Sequence, residues 1–160
     1  MGVTGSGKST VAAALAQRLG AAFCEGDDLH PATNIAKMHS GAPLDDADRA
    51  PWLTLINAWL RAQQAGGVVS CSALKRAYRD RLREGIAERL AFVLLDPSRE
   101  VLANRLDGRT GHFMPTALLG SQLETLERPE LDEHALRLTG AARVCTEVAL
   151  AASWLAASDA

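Results

Sequence analysis

The sequence predicts one α/β domain, a parallel sheet with helices on both faces. Three observations point there. Short β-rich runs alternate with helical stretches along the whole chain. A glycine-rich turn opens directly into a strong helix former. The length, 160 residues, leaves room for one core and not two.

The elements follow in order. Residues 9–19 (STVAAALAQRL) favour a helix, which Gly20 stops. Residues 21–24 read as a short strand running into the polar stretch Glu25-Gly26-Asp27-Asp28. Residues 45–64 read as a helix whose apolar stripe is Trp52, Leu55, Ile56, Trp59 and Leu60, at i, i+3, i+4, i+7, i+8. Gly66-Gly67 breaks the chain before a strand at 68–71, and a basic helix follows at 74–83. Residues 91–95 (AFVLL) have the composition of a buried parallel strand. Pro97 suits the start of a helix running towards Asp107. A helix at 117–126, a strand at 135–138 and a helix at 142–155 complete the pattern, with Trp52, Trp59 and Phe92 expected in the core.

Composition narrows the function. Hydrophobic residues make up 48% and charged residues 22%, which excludes a disordered or collagen-like chain. Seventeen basic against nineteen acidic residues give a net charge of −2, without the basic excess of a nucleic-acid binder. Aromatic residues, at 4%, are too few for a base-stacking platform. Cys24, Cys71 and Cys145 are widely spaced and form no CxxC pair, as expected of reduced thiols in a cytoplasm. No apolar run approaches the roughly 18 residues of a membrane span, and no signal-peptide pattern opens the chain. The expectation is a cytoplasmic protein with no membrane and no nucleic-acid partner.

The chemistry begins at Gly2-Val3-Thr4-Gly5-Ser6-Gly7-Lys8-Ser9, a full match to G-x-x-x-x-G-K-[ST]. Its glycines let backbone N–H groups converge on an anion, and the following helix adds its positive end. Lys8 can neutralise β- and γ-phosphates, and the Ser9 hydroxyl can ligate Mg²⁺. Gly2, Thr4, Gly5, Ser6, Gly7, Lys8, Ser9 and Thr10 are therefore the expected contacts of Mg·ATP, with Ser9 on the metal. A strand should precede such a loop, yet only Met1 stands before Gly2. The expectation is that Met1 is an internal methionine of a natural chain that begins several apolar residues earlier. Losing that strand would expose the apolar faces of both neighbours.

GTPase strings N-K-x-D and D-x-x-G are absent, and no aspartate ends the 68–71 strand. A small phosphoryl-transfer enzyme remains, one that works by positioning and charge neutralisation. Asp27, at the carboxyl edge of the sheet, can take a proton from an acceptor hydroxyl or help hold Mg²⁺, and Asp28 is its rival. His30, made extended by Pro31, can donate to a sugar hydroxyl but has no partner at metal-ligand spacing. Lys75, Arg79 and Arg83 share one helical face, and Ser72, Lys75 and Arg79 suit an acceptor bearing a carboxylate and hydroxyls. A solvated basic face is the alternative. Arg105 and Arg109, also i, i+4, either close over the phosphates as lid arginines or simply favour a helix C-terminus.

The segments GVTGSGKST at 2–10, GDDLHP at 26–31, NIAKMHSGAPLDDADRAPWL at 34–53, CSALKRAYRDRLR at 71–83, RLDGRTGHFMP at 105–115 and LLGSQLETLERP at 118–129 span most of the chain. Together they resemble the small P-loop gluconokinases, relatives of shikimate and nucleoside monophosphate kinases. That resemblance implies a three-layer α/β/α P-loop kinase with a helical lid near 105–126. It implies transfer of the ATP γ-phosphate to the 6-hydroxyl of D-gluconate, and a possible homodimer. It also favours Asp27 over Asp28 as the base, turns Arg49 towards the acceptor and adds His112 to the acceptor set. Arg49 reads equally well as an ion-paired helix residue, and Gln122 and Glu124 gain no chemical role. A kinase of another small acceptor, or a non-catalytic ATP-binding regulatory module, is the alternative function.

Overall fold

The computed structural model describes residues 1–107 and 116–158. Its order is α1 (Lys8–Leu19), β1 (Ala22–Glu25), a 3₁₀ turn (Gly26–Leu29), α2 (Ala32–His39), α3 (Asp46–Ala62), β2 (Gly67–Ser70), α4 (Arg76–Arg83), a 3₁₀ turn (Ala87–Arg89), β3 (Phe92–Leu95), α5 (Arg99–Asp107), α6 (Thr116–Thr125), β4 (Ala135–Leu138) and α7 (Val144–Ser158). The predicted strands fall within a residue of these. The predicted helices are met as well, while α2 is an addition.

The strands form two parallel pairs. β1 lies on β2 with Glu25 opposite Ser70, and β3 lies on β4 with Leu95 opposite Leu138. Residues 1–2 join the pairs. The Met1 amino group donates to the Val93 carbonyl at 2.5 Å, Leu95 N–H donates to Met1 at 3.0 Å, and Gly2 N–H donates to the Ser72 carbonyl at 3.1 Å. Beside this bridge lies an apolar cavity of about 130 Å³, lined by Val68 and Val69 of β2, Phe92 and Val93 of β3, and Val11, Leu15 and Ile56 from the helices.

Helices cover the pairs as their sequences require. Trp52, Leu53 and Ile56 of α3 are buried with Tyr78 and Leu82 of α4, while Val11 and Leu15 of α1 pack with Val148 and Ala151 of α7. Leu55, expected in the α3 stripe, is 46% exposed, because the buried face includes Leu53 and Asn57 instead. Asn57 is there for its hydrogen bonds: its amide donates to the Leu82 and Glu84 carbonyls at 2.8 and 3.0 Å, closing the end of α4. A reciprocal Asp45–Asp48 capping box starts α3. α4 starts two residues later than predicted. Ala73 is left-handed (φ 43°) and Lys75 is extended, so the turn 72–75 stands outside the helix. The face shared by Lys75, Arg79 and Arg83 does not form.

Candidate active site

The glycine-rich turn and α1 make an anion cradle. Gly7, at φ 95°, occupies the N-cap of α1 with no side chain to satisfy the first helical N–H groups, which stay available to a ligand. Lys8 Nζ lies over the turn, donating to the Val3 carbonyl at 3.1 Å. Ser9 and Thr10 are exposed on the first turn of α1. The Ser9 hydroxyl is 3.4 Å from that of Ser70, buried at the end of β2. Ser70 thus takes the place where an aspartate was sought and missed. Its only sequence signal is its position at a strand end.

Beside the cradle is a cavity of about 280 Å³, lined by Gly5, Ser6, Gly7, Thr10, Arg105 and Gly140 among others. Arg105, from α5, spans its mouth, donating to the Ser6 carbonyl at 3.1 Å and the Gly140 carbonyl at 2.6 Å. This guanidinium is a group that phosphate oxygens can recruit from two carbonyls. Thr4 N–H donates to Gln122 Oε1 at 2.6 Å, so Gln122 ties α6 to the turn, a role the sequence did not suggest. Arg109 and His112 lie outside the described residues.

The junction of β1 with α3 gathers acceptor-side candidates. Trp52 Nε1 donates to the Gly26 carbonyl at 2.7 Å, fixing the 3₁₀ turn that carries Asp27. His30 stacks on Trp52, with ring centroids 4.2 Å apart. The Asn34 amide nitrogen, which can only donate, reaches His30 Nδ1 at 3.3 Å and the Asp48 carbonyl at 2.8 Å. With Nδ1 accepting from Asn34, a neutral His30 carries its proton on Nε2, which among the described residues makes no hydrogen bond. Desolvation holds His30 below its ordinary pKa, with Asp27 pulling upward and Arg49 downward. Desolvation pushes the Asp27 carboxyl above its ordinary value against the attraction of Lys8, although Asp27 keeps access to solvent.

Arg49 and Lys75 flank the Tyr78 ring, at 5.7 and 5.4 Å from its centroid. Arg49 also approaches the Tyr78 hydroxyl at 3.4 Å, and that hydroxyl donates to Asp46. Lys75 pairs with both Asp46 oxygens, at 2.9 and 2.8 Å. Among the described residues Arg49 makes no ion pair, which counts against the ion-paired helix reading. Ser72 is half-buried, next to the Gly2 contact.

Arg79 is a correction. It is fully buried, its Nε and Nη2 donate to Glu133, and its Nη1 donates to three carbonyls. With its donors spent inside the molecule it does not contact an acceptor. Glu133 lies far along the chain from Arg79, so no local spacing rule points to the pair.

The donor set fits Mg²⁺ brought by a nucleotide. Among the described residues no group of three His, Cys, Asp or Glu could hold a metal alone. The Ser9 hydroxyl at the cradle is the kind of hard, neutral oxygen that a phosphate-bound Mg²⁺ accepts.

Comparison with known proteins gives one answer. A family model described as an AAA domain (AAA_33) matches residues 1–129. The gluconokinase of Gluconobacter oxydans (strain 621H) is 56% identical over 143 residues, covering 88% of this chain and 80% of that protein. The thermoresistant gluconokinase of Escherichia coli (strain K12) is 52% identical over 136 residues, covering 83% and 77%. A solved gluconokinase from Sinorhizobium meliloti 1021 superposes with a TM-score of 0.90 at 52% identity, covering 98% of this chain and 89% of that one. Shikimate kinase from Aquifex aeolicus vf5, at 15% identity and a TM-score of 0.63, shares the fold.

Proposed function

This chain belongs to the gluconokinase family, and from that premise we infer that it transfers the γ-phosphoryl group of ATP to the 6-hydroxyl of D-gluconate, giving 6-phospho-D-gluconate and ADP. One observation carries the reading: Lys8, which donates to the Val3 carbonyl of the cradle, also attracts the Asp27 carboxylate, and Asp27 and Arg49 in turn act on His30. Phosphate donor and hydroxyl acceptor would meet there.

The residues divide the work. The glycine-rich turn and the N-terminus of α1 hold the phosphates, and Lys8 neutralises the charge that builds as the phosphoryl group moves. Arg105, released from the Ser6 and Gly140 carbonyls, adds a second positive charge on the nucleoside side. Mg²⁺ bound with ATP would be held by Ser9 and would neutralise the phosphate oxygens.

Asp27 takes the proton of the acceptor hydroxyl. Asp27 lies in the fields of Lys8 and His30, which supports its assignment as the base. A raised pKa makes it a better proton acceptor. His30 Nε2 donates to an acceptor hydroxyl. Arg49 has a fork suited to the gluconate carboxylate, and Ser72 and Lys75 complete that side. Arg109 and His112 belong to this proposal as lid and acceptor residues, within a lid near 105–126. A cytoplasmic location agrees with three free cysteines, and a homodimer and a single domain complete the proposal.

The test is ADP release with Mg·ATP, comparing D-gluconate, shikimate, AMP and no acceptor. A rise with gluconate alone is expected. A rise with another acceptor, or ATP turnover indifferent to all of them, would overturn the reading.

A further inference from the structure

Arg79 is a buried charge that the site itself leaves without a purpose. Both it and the Glu133 side chain are fully enclosed. Apolar side chains of similar volume generally serve stability as well as a buried ion pair does. A guanidinium fork adds direction, because its donors lie in fixed positions.

Those donors converge on the turn between β2 and α4. Nη1 donates to the Ala73 and Leu74 carbonyls, each at 3.3 Å, and to the Glu127 carbonyl at 2.9 Å. Nη2 donates to Glu133 Oε1 at 2.8 Å, and the same oxygen takes the Glu130 N–H at 3.1 Å. The turn needs holding. Ala73 is 1% exposed with φ 43°, a left-handed conformation that residues with a β-carbon keep only where their surroundings impose it. Ser72 and Lys75 stand on either side of it. The seam continues through Glu127 N–H on the Leu74 carbonyl (2.9 Å) and Arg76 N–H on the Glu127 carboxylate (2.6 Å). Leu74 then packs with Val3 and Leu119, and Gln122 reaches Thr4. The turn is thereby referred to the anion cradle.

We propose that Arg79 is a positioning residue for the acceptor: it holds the Ala73 and Leu74 carbonyls against Glu127 and Glu133, and so imposes the left-handed turn that presents Ser72 and Lys75. This rests on the assignment of residues 72–75 to the acceptor side. Arg79 acts through the turn and does not touch gluconate.

The test is a kinetic comparison in the full chain. Arg79→Lys keeps a charge for Glu133 but cannot fork to the turn as well. Its gluconate KM is expected to rise about tenfold or more, as befits lost charge-assisted hydrogen bonds, while its ATP KM stays within about twofold. Adding Ala73→Gly should return the gluconate KM towards the parent value, because glycine adopts the left-handed turn unaided. Should Arg79→Lys fail to fold, the apolar pair Arg79→Met with Glu133→Leu carries the same comparison. A folded variant with the parent gluconate KM overturns the proposal, as does an equal rise in both KM values or no recovery with Ala73→Gly. A parent chain without gluconate-stimulated ADP release overturns the functional reading and this inference with it. An active parent with an indifferent variant overturns the inference alone.

Discussion

Replacing Gly26 with alanine tests whether the meeting of β1 with β2 sets the position of Asp27. Gly26 is buried one residue past the Glu25–Ser70 pair. A Cβ on Gly26 would stand under 3.0 Å from the Ser70 carbonyl oxygen and 3.4 Å from Ile56 Cδ1. The first is backbone in a paired strand, so it cannot swing aside as a side-chain tip would. The 3₁₀ turn must instead retreat by roughly 1 Å to restore ordinary contact, and displacement of that size at a reacting group costs on the order of 10²-fold in rate. The Trp52–Gly26 hydrogen bond, 2.7 Å in the parent, is drawn out in the same movement. Overpacking of this kind costs about 1–3 kcal/mol. For a chain of this length that lowers the thermal midpoint by roughly 2–12 °C. Turnover is read from gluconate-dependent ADP release, and the midpoint from circular dichroism. A Gly26→Ala enzyme with the parent kcat would refute the claim that this junction positions Asp27.

Three further outcomes are expected. Asp27→Asn should lower turnover by roughly 10²–10⁴. In the parent, activity should fall with acid as Asp27 protonates. Its pKa is raised, so the acid limb should lie above the ordinary aspartate range; a limb at or below 3.8 would contradict the desolvated carboxylate. Arg105→Ala should cost on the order of 10³-fold or more in kcat, as for arginines that stabilise phosphoryl transfer elsewhere. An unchanged kcat in that variant would remove Arg105 from the mechanism.

The local features were legible and the distant ones were not. The anion cradle, the four strands and the Trp52 and Ile56 positions of the α3 stripe each depend on residues within a few positions of one another. α2 is only eight residues long and its larger apolar side chains, Ile35 and Met38, are exposed, so no buried stripe announces it in the sequence. Its one buried residue, Asn34, is there for hydrogen bonds to His30 and Asp48. Arg79 was misread for a related reason. Basic residues spaced by four suggest a face turned to solvent or substrate, and nothing nearby announces Glu133. Gln122 matched a segment of the family, yet its partner Thr4 lies 118 residues away. Sequence spacing finds groups that share a helix or a turn. Groups brought together by the packing of α6 on the glycine-rich turn need coordinates.

The distribution of the three thiols offers a practical handle. Cys71 is enclosed beside Lys8 and Met1, and burial pushes its pKa up to about 12, so it stays protonated and unreactive. Cys24 is half-buried, with its pKa raised first by desolvation and then by Asp28 and Glu25. Cys145 alone is exposed, in the first turn of α7, adjacent to Val144 at the lining of the Arg105 cavity. A maleimide dye should therefore couple at Cys145 ahead of the other two. The unmutated chain would then carry a fluorophore at the rim of its nucleotide side, able to report occupancy in a titration without turnover.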